Sequence, residues 1–207
     1  MARVSQEHLD ARRRQILDGA ARCFAHNGFH ATSMQDVLKE VGLSAGAVYR
    51  YFAGKDELIE AVVAEVLEVI RGIFEEAAGQ TPPPPPDVLV GAGFRDVLGG
   101  AAYSVAGEPS FLPRLMVQVW TETLRNDGLS ALLREGYARV STAWIKIVEG
   151  YQAAGMMRAD IPAEHVARTM IATAQGFAAQ LALFGEEVTV EALQDGLRGL
   201  MSMTEPR

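Results

Sequence analysis

Apolar residues recur every three to four positions along almost the whole of this chain, and no run alternates apolar with polar as a half-buried strand must. That period restricts the fold to helix packed on helix, an all-α architecture. The chain has 207 residues, enough to bury a core without a disulfide or metal staple. A single cysteine, Cys23, leaves no disulfide pair and no cysteine-based zinc site, and His8, His26, His30 and His165 are scattered. No metal and no cofactor are expected. No uncharged apolar stretch is long enough for a membrane helix, and no apolar leader follows Met1. The expected setting is a soluble protein of the reducing cytoplasm.

The period divides into about nine helices. The first runs from Leu9 to His26, with Ile16, Ala20 and Phe24 on one face and Asn27-Gly28 as its stop. Thr32-Ser33-Met34-Gln35 has capping-box spacing and opens a short second helix whose apolar side is Val37, Leu38 and Val41. Gly42-Leu43-Ser44 makes a turn, with Ser44 placed to cap a third helix from Ala45 to about Tyr51. A long fourth helix runs from near Lys55 to Ala78, with Asp56 and Glu57 in the first turn, where the helix dipole favours them. Pro82 to Pro86 must be extended; a stiff interhelix loop is one reading and a proline-recognition ligand the other. Five further helices are expected over about 87–105, 110–126, 128–154, 162–184 and 189–203. Gly91, Gly93, Gly99 and Gly100 each weaken the fifth by about 1 kcal/mol relative to Ala, which marks it as the element readiest to kink.

The net charge of −7 is uneven. Residues 1–55 hold eight Lys and Arg against five Asp and Glu; the rest hold 11 against 21. A mildly basic head on an acidic body can steer one end toward a polyanion. By itself this split decides little.

The informative stretch is Thr32 to Leu58, two short helices joined by a turn containing Gly42. That is helix-turn-helix spacing, in which the second helix enters a major groove about 12 Å wide. Small residues, Ala45-Gly46-Ala47, open the third helix and let its backbone approach base edges. Val48 and Phe52, four apart, pack inward, while Tyr49 and Arg50 turn away toward phosphate. Lys55 follows at the start of the fourth helix.

The segment TSMQDVLKEVGLSAGAVYRYFAGKDEL, Thr32 to Leu58, resembles the DNA-binding region of the tetracycline-repressor-like (TetR) family, and ARRRQILDGAARCFAHNGF, Ala11 to Phe29, resembles that family's first helix. The resemblance implies a DNA-binding domain over residues 10–70, with its helix-turn-helix over about 33–52, and a ligand-binding and dimerisation domain over 71–207. It implies that Ser33 touches phosphate and Gln35 a base or phosphate. Ser44, Ala45, Gly46 and Ala47 form the groove-facing start of the recognition helix, and Tyr49 and Lys55 contact phosphate. Ala45 and Ala47 offer only methyl contacts, so Gln35 and Arg50 are the candidates for polar base readout. Leu38 stands where the family usually has a small residue, which predicts a slightly opened packing of helices two and three.

For the second part, the ligand candidates are Phe94, Tyr103, Met116, Trp120, Trp144 and Gln175, between helices five and eight. Glu122 and Glu149 read first as solvated surface, the other reading being that they orient a cationic or donor-rich ligand. Phe177 and Leu181 on helix eight, with Leu193, Leu197 and Leu200 on helix nine, are the expected dimerisation stripe. The partners implied are double-stranded operator DNA, a small-molecule effector and a second copy of the chain, with no membrane. The function implied is a transcriptional regulator, a repressor that binds a pseudo-palindromic operator as a dimer and is released by its effector, with the long fourth helix as lever. The alternative is a helical protein-interaction or small-molecule-binding module without sequence-specific DNA binding. An enzyme is not expected: no Ser/His/Asp set stands out, and Gly91-Ala92-Gly93 lacks the preceding strand and third glycine of a dinucleotide fingerprint.

Overall fold

The computed structural model describes residues 6–99 and 111–201. Among them the elements are α1 (Gln6–Ala31), α2 (Met34–Val41), α3 (Ala45–Tyr49), α4 (Lys55–Ala78), α5 (Pro86–Leu98), α6 (Phe111–Glu122), α7 (Asp127–Ala153), α8 (Ala163–Phe184) and α9 (Val190–Met201), with no strand. No helix among the described residues is long and apolar enough to cross a membrane.

The first break is subtler than a stop. Helical backbone resumes beyond Gly28, whose φ of 82° kinks α1 and carries it on to Ala31. Phe24 and Phe29 flank that kink, their rings edge to face at 5.0 Å. The second helix is capped by Ser33 rather than Thr32. The Ser33 hydroxyl accepts from the Asp36 amide, and the Asp36 carboxylate accepts from the Ser33 amide at 2.8 Å. Thr32 is buried, and its hydroxyl donates to the carbonyls of Gly28 and Cys23. Gly42 ends α2 in the left-handed conformation. Ser44 takes the N-cap position of α3 but makes no side-chain cap bond.

Ile16, Leu17 and Phe24 of α1, Val37 of α2, Val48 and Phe52 around α3, and Leu58 and Val62 of α4 close one core. Leu38 is half-buried against it. Gly19 lets α2 close on α1, because a Cβ there would lie 2.3 Å from Val41 Cγ1. Cys23 is buried in the same core; burial first, then the charges of Glu40 and Asp36, push its thiol pKa up, so it behaves as a small apolar group. This core does not end with α4. Phe111, Leu115 and Val119 of α6 belong to it.

The body has its own core of Leu89, Trp144, Ile147, Tyr151, Met170 and Leu197. The proline run joins α4 to α5 and lies against α7. Pro83 is buried over Gly150, and the Tyr151 hydroxyl donates to the Pro84 carbonyl. It is a structural brace here, with Pro86 opening α5. Gly91 lets α9 approach α5, since a Cβ would sit 2.4 Å from the Gln194 amide. Asp87, buried, pairs with Arg198 at 2.9 Å and locks the same two helices. The ends expected near residues 105 and 203 fall outside the described residues.

The expected dimerisation stripe needs correction. Phe177, Leu181 and Leu197 are buried inside the protomer, and Leu193 is half-buried against Phe177 and Leu181. Phe177, Leu181 and Leu193 pack with Phe94 and Leu98 of α5, and Leu197 packs in the body core, while Leu183, Phe184 and Met201 are exposed. Leu200, 68% exposed, is the one member of the expected stripe left outside. The solvent faces carry Ala172, Gly176 and Leu183 on α8, and Ala192, Gly196 and Leu200 on α9.

Candidate functional site

Two places carry chemistry. The first is the α2–turn–α3 unit. Val48 and Phe52 are buried, as their spacing requires, so the rest of α3 is turned outward. Ser33, Gln35, Ser44, Ala45, Gly46, Tyr49 and Arg50 are exposed, and Ala47 is half-buried. Tyr49 shows 48% of its surface, high for a tyrosine with an apolar ring. Gly46 faces open space, with nothing within 4 Å of where a Cβ would be. The Arg50 guanidinium lies 5.9 Å from the Tyr51 ring centre, and Arg13 lies 5.4 Å from that of Phe52.

Two of the expected phosphate residues are already occupied. The Ser33 hydroxyl donates to Asp36 at 2.6 Å as part of the cap. These Ser33 hydrogen bonds, side chain first and backbone second, hold the Asp36 carboxyl below its ordinary pKa. Lys55 is half-buried. Its Nζ donates to the Phe29 carbonyl at 2.9 Å and the Thr32 carbonyl at 3.2 Å, bridging the end of α1 to the start of α2. A cation is favoured there by the exposed carbonyls of the helix terminus. Nothing in the sequence near Lys55 signals this contact, because its partners lie 26 and 23 residues upstream.

The second place is a cavity of about 190 Å³ in the body. Phe94, Met116, Trp120, Trp144 and Gln175 all line it; Tyr103 lies outside the described residues. Val63, Val66 and Ile70 of α4 form a further wall. Trp144 stacks at a tilt on Phe74, with ring centres 5.0 Å apart. Glu122 is turned away from this cavity and faces His30 at 3.1 Å, and Glu149 is exposed.

Sequence reasoning missed α6 as a junction. Leu115 and Val119 lie in the head core, while Met116 and Trp120 line the cavity. At its end Gln118 covers Gly28, Glu122 faces His30, and Arg125 reaches the same imidazole at 3.1 Å. One helix therefore touches both places.

Residues 16–62 match the family described as bacterial regulatory proteins of the tetR family, and residues 112–202 match the C-terminal domain of BetI-type transcriptional repressors. The chain belongs to the TetR family. The HTH-type transcriptional repressor Rv1474c of Mycobacterium tuberculosis is 42% identical over 73 residues, 35% of this chain and 39% of that one. The transcriptional regulator UidR of Escherichia coli K12 is 25% identical over 197 residues, covering 95% of this chain and 94% of that one. Salmonella enterica GusR has the same fold with a TM-score of 0.72 and 27% identity, covering 98% of this chain and all of that one. The match over residues 16–62 spans α2 and α3, and the chain is a DNA-binding transcriptional regulator of this family.

Proposed function

We propose that this TetR-family regulator is a repressor that binds a pseudo-palindromic operator as a dimer and leaves it when a small molecule fills the body cavity. The observation that carries the reading is the outward face of α3. Val48 and Phe52 hold the helix down while Ala45, Gly46 and Tyr49 stand exposed above it. Gln35 and Arg50 are the polar base readers in this reading; Tyr49 takes phosphate, and so does the hydrogen of Lys55 Nζ not given to carbonyls, while Ser33, with its hydroxyl and amide both donated to Asp36, serves as the cap. The small exposed faces of α8 and α9, with Leu200, meet their mates across a twofold axis. That pairing fixes two recognition helices about one DNA turn apart, or a multiple of it.

Release is a population shift. The effector must bind the DNA-incompetent arrangement more tightly than the competent one, by a few kcal/mol. The cavity wall includes α4 and α6, and both also carry head-core residues, Val63 on α4 and Leu115 on α6. The test is a footprint on the intergenic DNA beside the gene, repeated over a salt series and with candidate effectors. A protected, twofold-symmetric site with salt-dependent affinity is expected. Binding with no preference between that site and random duplex would overturn the reading.

A further inference from the structure

The cavity wall itself limits what can fill it. We infer that the ligand is an uncharged, mostly apolar molecule of about one ring, carrying a single hydrogen-bonding group that meets Gln175. This rests on the cavity being the effector site proposed above. Among the described residues no Lys, Arg, His, Asp or Glu lines the cavity. Residues 100–110, outside the described set, add no Lys, Arg or His to the chain, so they bring no basic partner for an anion. A carboxylate or phosphate seated here is left without a counter-charge, which costs far more than an unpaired neutral group. The body is acidic, but among the described residues its charge is kept off this wall.

Besides the indoles of Trp120 and Trp144, the polar side chains on the described wall are Tyr137 and Gln175. The Gln175 side chain makes no hydrogen bond among the described residues, yet α8 holds it half-buried beside Ala174 and Ala178 on that wall. A primary amide held on an apolar surface recognises one donor or acceptor and orients the rest of the ligand. Size follows from the volume. An engineered apolar cavity of about 150 Å³ holds benzene, so 190 Å³ suits a single substituted ring.

The test uses the two tryptophans, both on the wall, as reporters in the full-length protein without DNA. The probes are 4-isopropylphenol, its anionic counterpart 4-isopropylbenzoate, its cationic counterpart 4-isopropylbenzylamine, and p-cymene, which has no polar group. A saturable change in tryptophan emission is expected with the phenol and with p-cymene. The two charged probes should bind about 100-fold more weakly or worse at neutral pH. Gln175→Leu should weaken the phenol about fivefold and leave p-cymene within about twofold. Because the probe series is run on the unchanged protein, it stands even if that variant fails to fold. Either charged probe binding within about tenfold of the phenol overturns the inference, and so does a flat emission signal with all four. Failure to find DNA binding leaves this result intact, whereas tight phenol binding that never releases DNA overturns only the proposed regulation.

Discussion

Lys55 offers the sharpest test of how the head is held. Its ammonium spans the Phe29 and Thr32 carbonyls at 2.9 and 3.2 Å, and the side chain is half-buried. A hydrogen bond from a charged donor contributes about 1.5–3 kcal/mol net. Phe29 and Thr32 are themselves buried, so losing the donor leaves their carbonyls short of a partner, and Lys55→Ala should cost about 2 kcal/mol. For a chain of this size that lowers the melting temperature by about 4–8 °C. The third hydrogen of Nζ remains for a phosphate. If one phosphate contact is lost, the slope of log affinity against log salt falls by about 0.9, equally for all DNA sequences. Thermal unfolding followed by circular dichroism measures the first effect, and fluorescence anisotropy over 50–200 mM salt the second. An unchanged melting temperature refutes the bracing argument. A lowered melting temperature with an unchanged salt slope keeps the brace and removes the phosphate contact.

Gln35→Ala should cost about tenfold in discrimination between half-site variants while leaving the salt slope in place; competition binding that retains the original preference removes Gln35 from base readout. Gly19→Ala places a methyl 2.3 Å from the branched, buried Val41 side chain. Overpacking of about 1–3 kcal/mol outweighs the roughly 1 kcal/mol gained in helix propensity. A net fall of about 2–4 °C in melting temperature is expected, with DNA affinity falling as α2 is displaced; a rise shows that Val41 yields freely. Asp36→Ala tests the cap by pH. The Asp36 carboxyl is held below its ordinary value by Ser33, so its contribution is present above about pH 4, the unfolded value, and disappears as pH falls through the lower folded one. The variant should melt below the parent at neutral pH, with the gap narrowing in acid; a gap that stays constant as pH falls contradicts this. Leu200→Glu should convert a sedimenting dimer to monomer with helix content unchanged, because Leu200 is exposed in the protomer; a variant that stays dimeric places the twofold contact elsewhere.

Much of this molecule is readable from residue spacing, because helix period depends only on neighbours three and four apart. Val48 and Phe52 are legible as anchors for that reason, and five of six cavity residues are large or amide side chains on helices that spacing already turns inward. What is not legible depends on partners far along the chain. The role of Thr32 rests on the Cys23 and Gly28 carbonyls across the α1 kink, that of Lys55 on the α1–α2 junction more than twenty residues upstream, and that of Gly91 on Gln194. The dimer stripe fails for the same reason. Period gives α9 an apolar face through Val190, Leu193 and Leu197, but it does not say whether α5 or a second protomer covers it. Here α5 does, fixed by Asp87 with Arg198 and by Arg95 with Gln194.

The same distinction changes how a signal is expected to travel. Read from sequence, α4 is the lever, since it is the long helix that joins head to body. The packing adds α6, and in a way that alters the physics. Leu115 and Val119 are members of the head core and also line the cavity, so the two places share side chains rather than communicate across a rod. Close-packed interiors transmit small displacements because they have little free volume. A ring that pushes Met116 and Trp120 outward must therefore shift Leu115 and Val119 against Phe24 and Leu58, or else rotate α6 about its end. That end is held by Gln118 over Gly28 and by Glu122 and Arg125 at His30. Either displacement bears on the end of α1, the segment whose carbonyls Lys55 ties to the start of α2. The path from cavity to recognition helix is then two packed layers and one ammonium long.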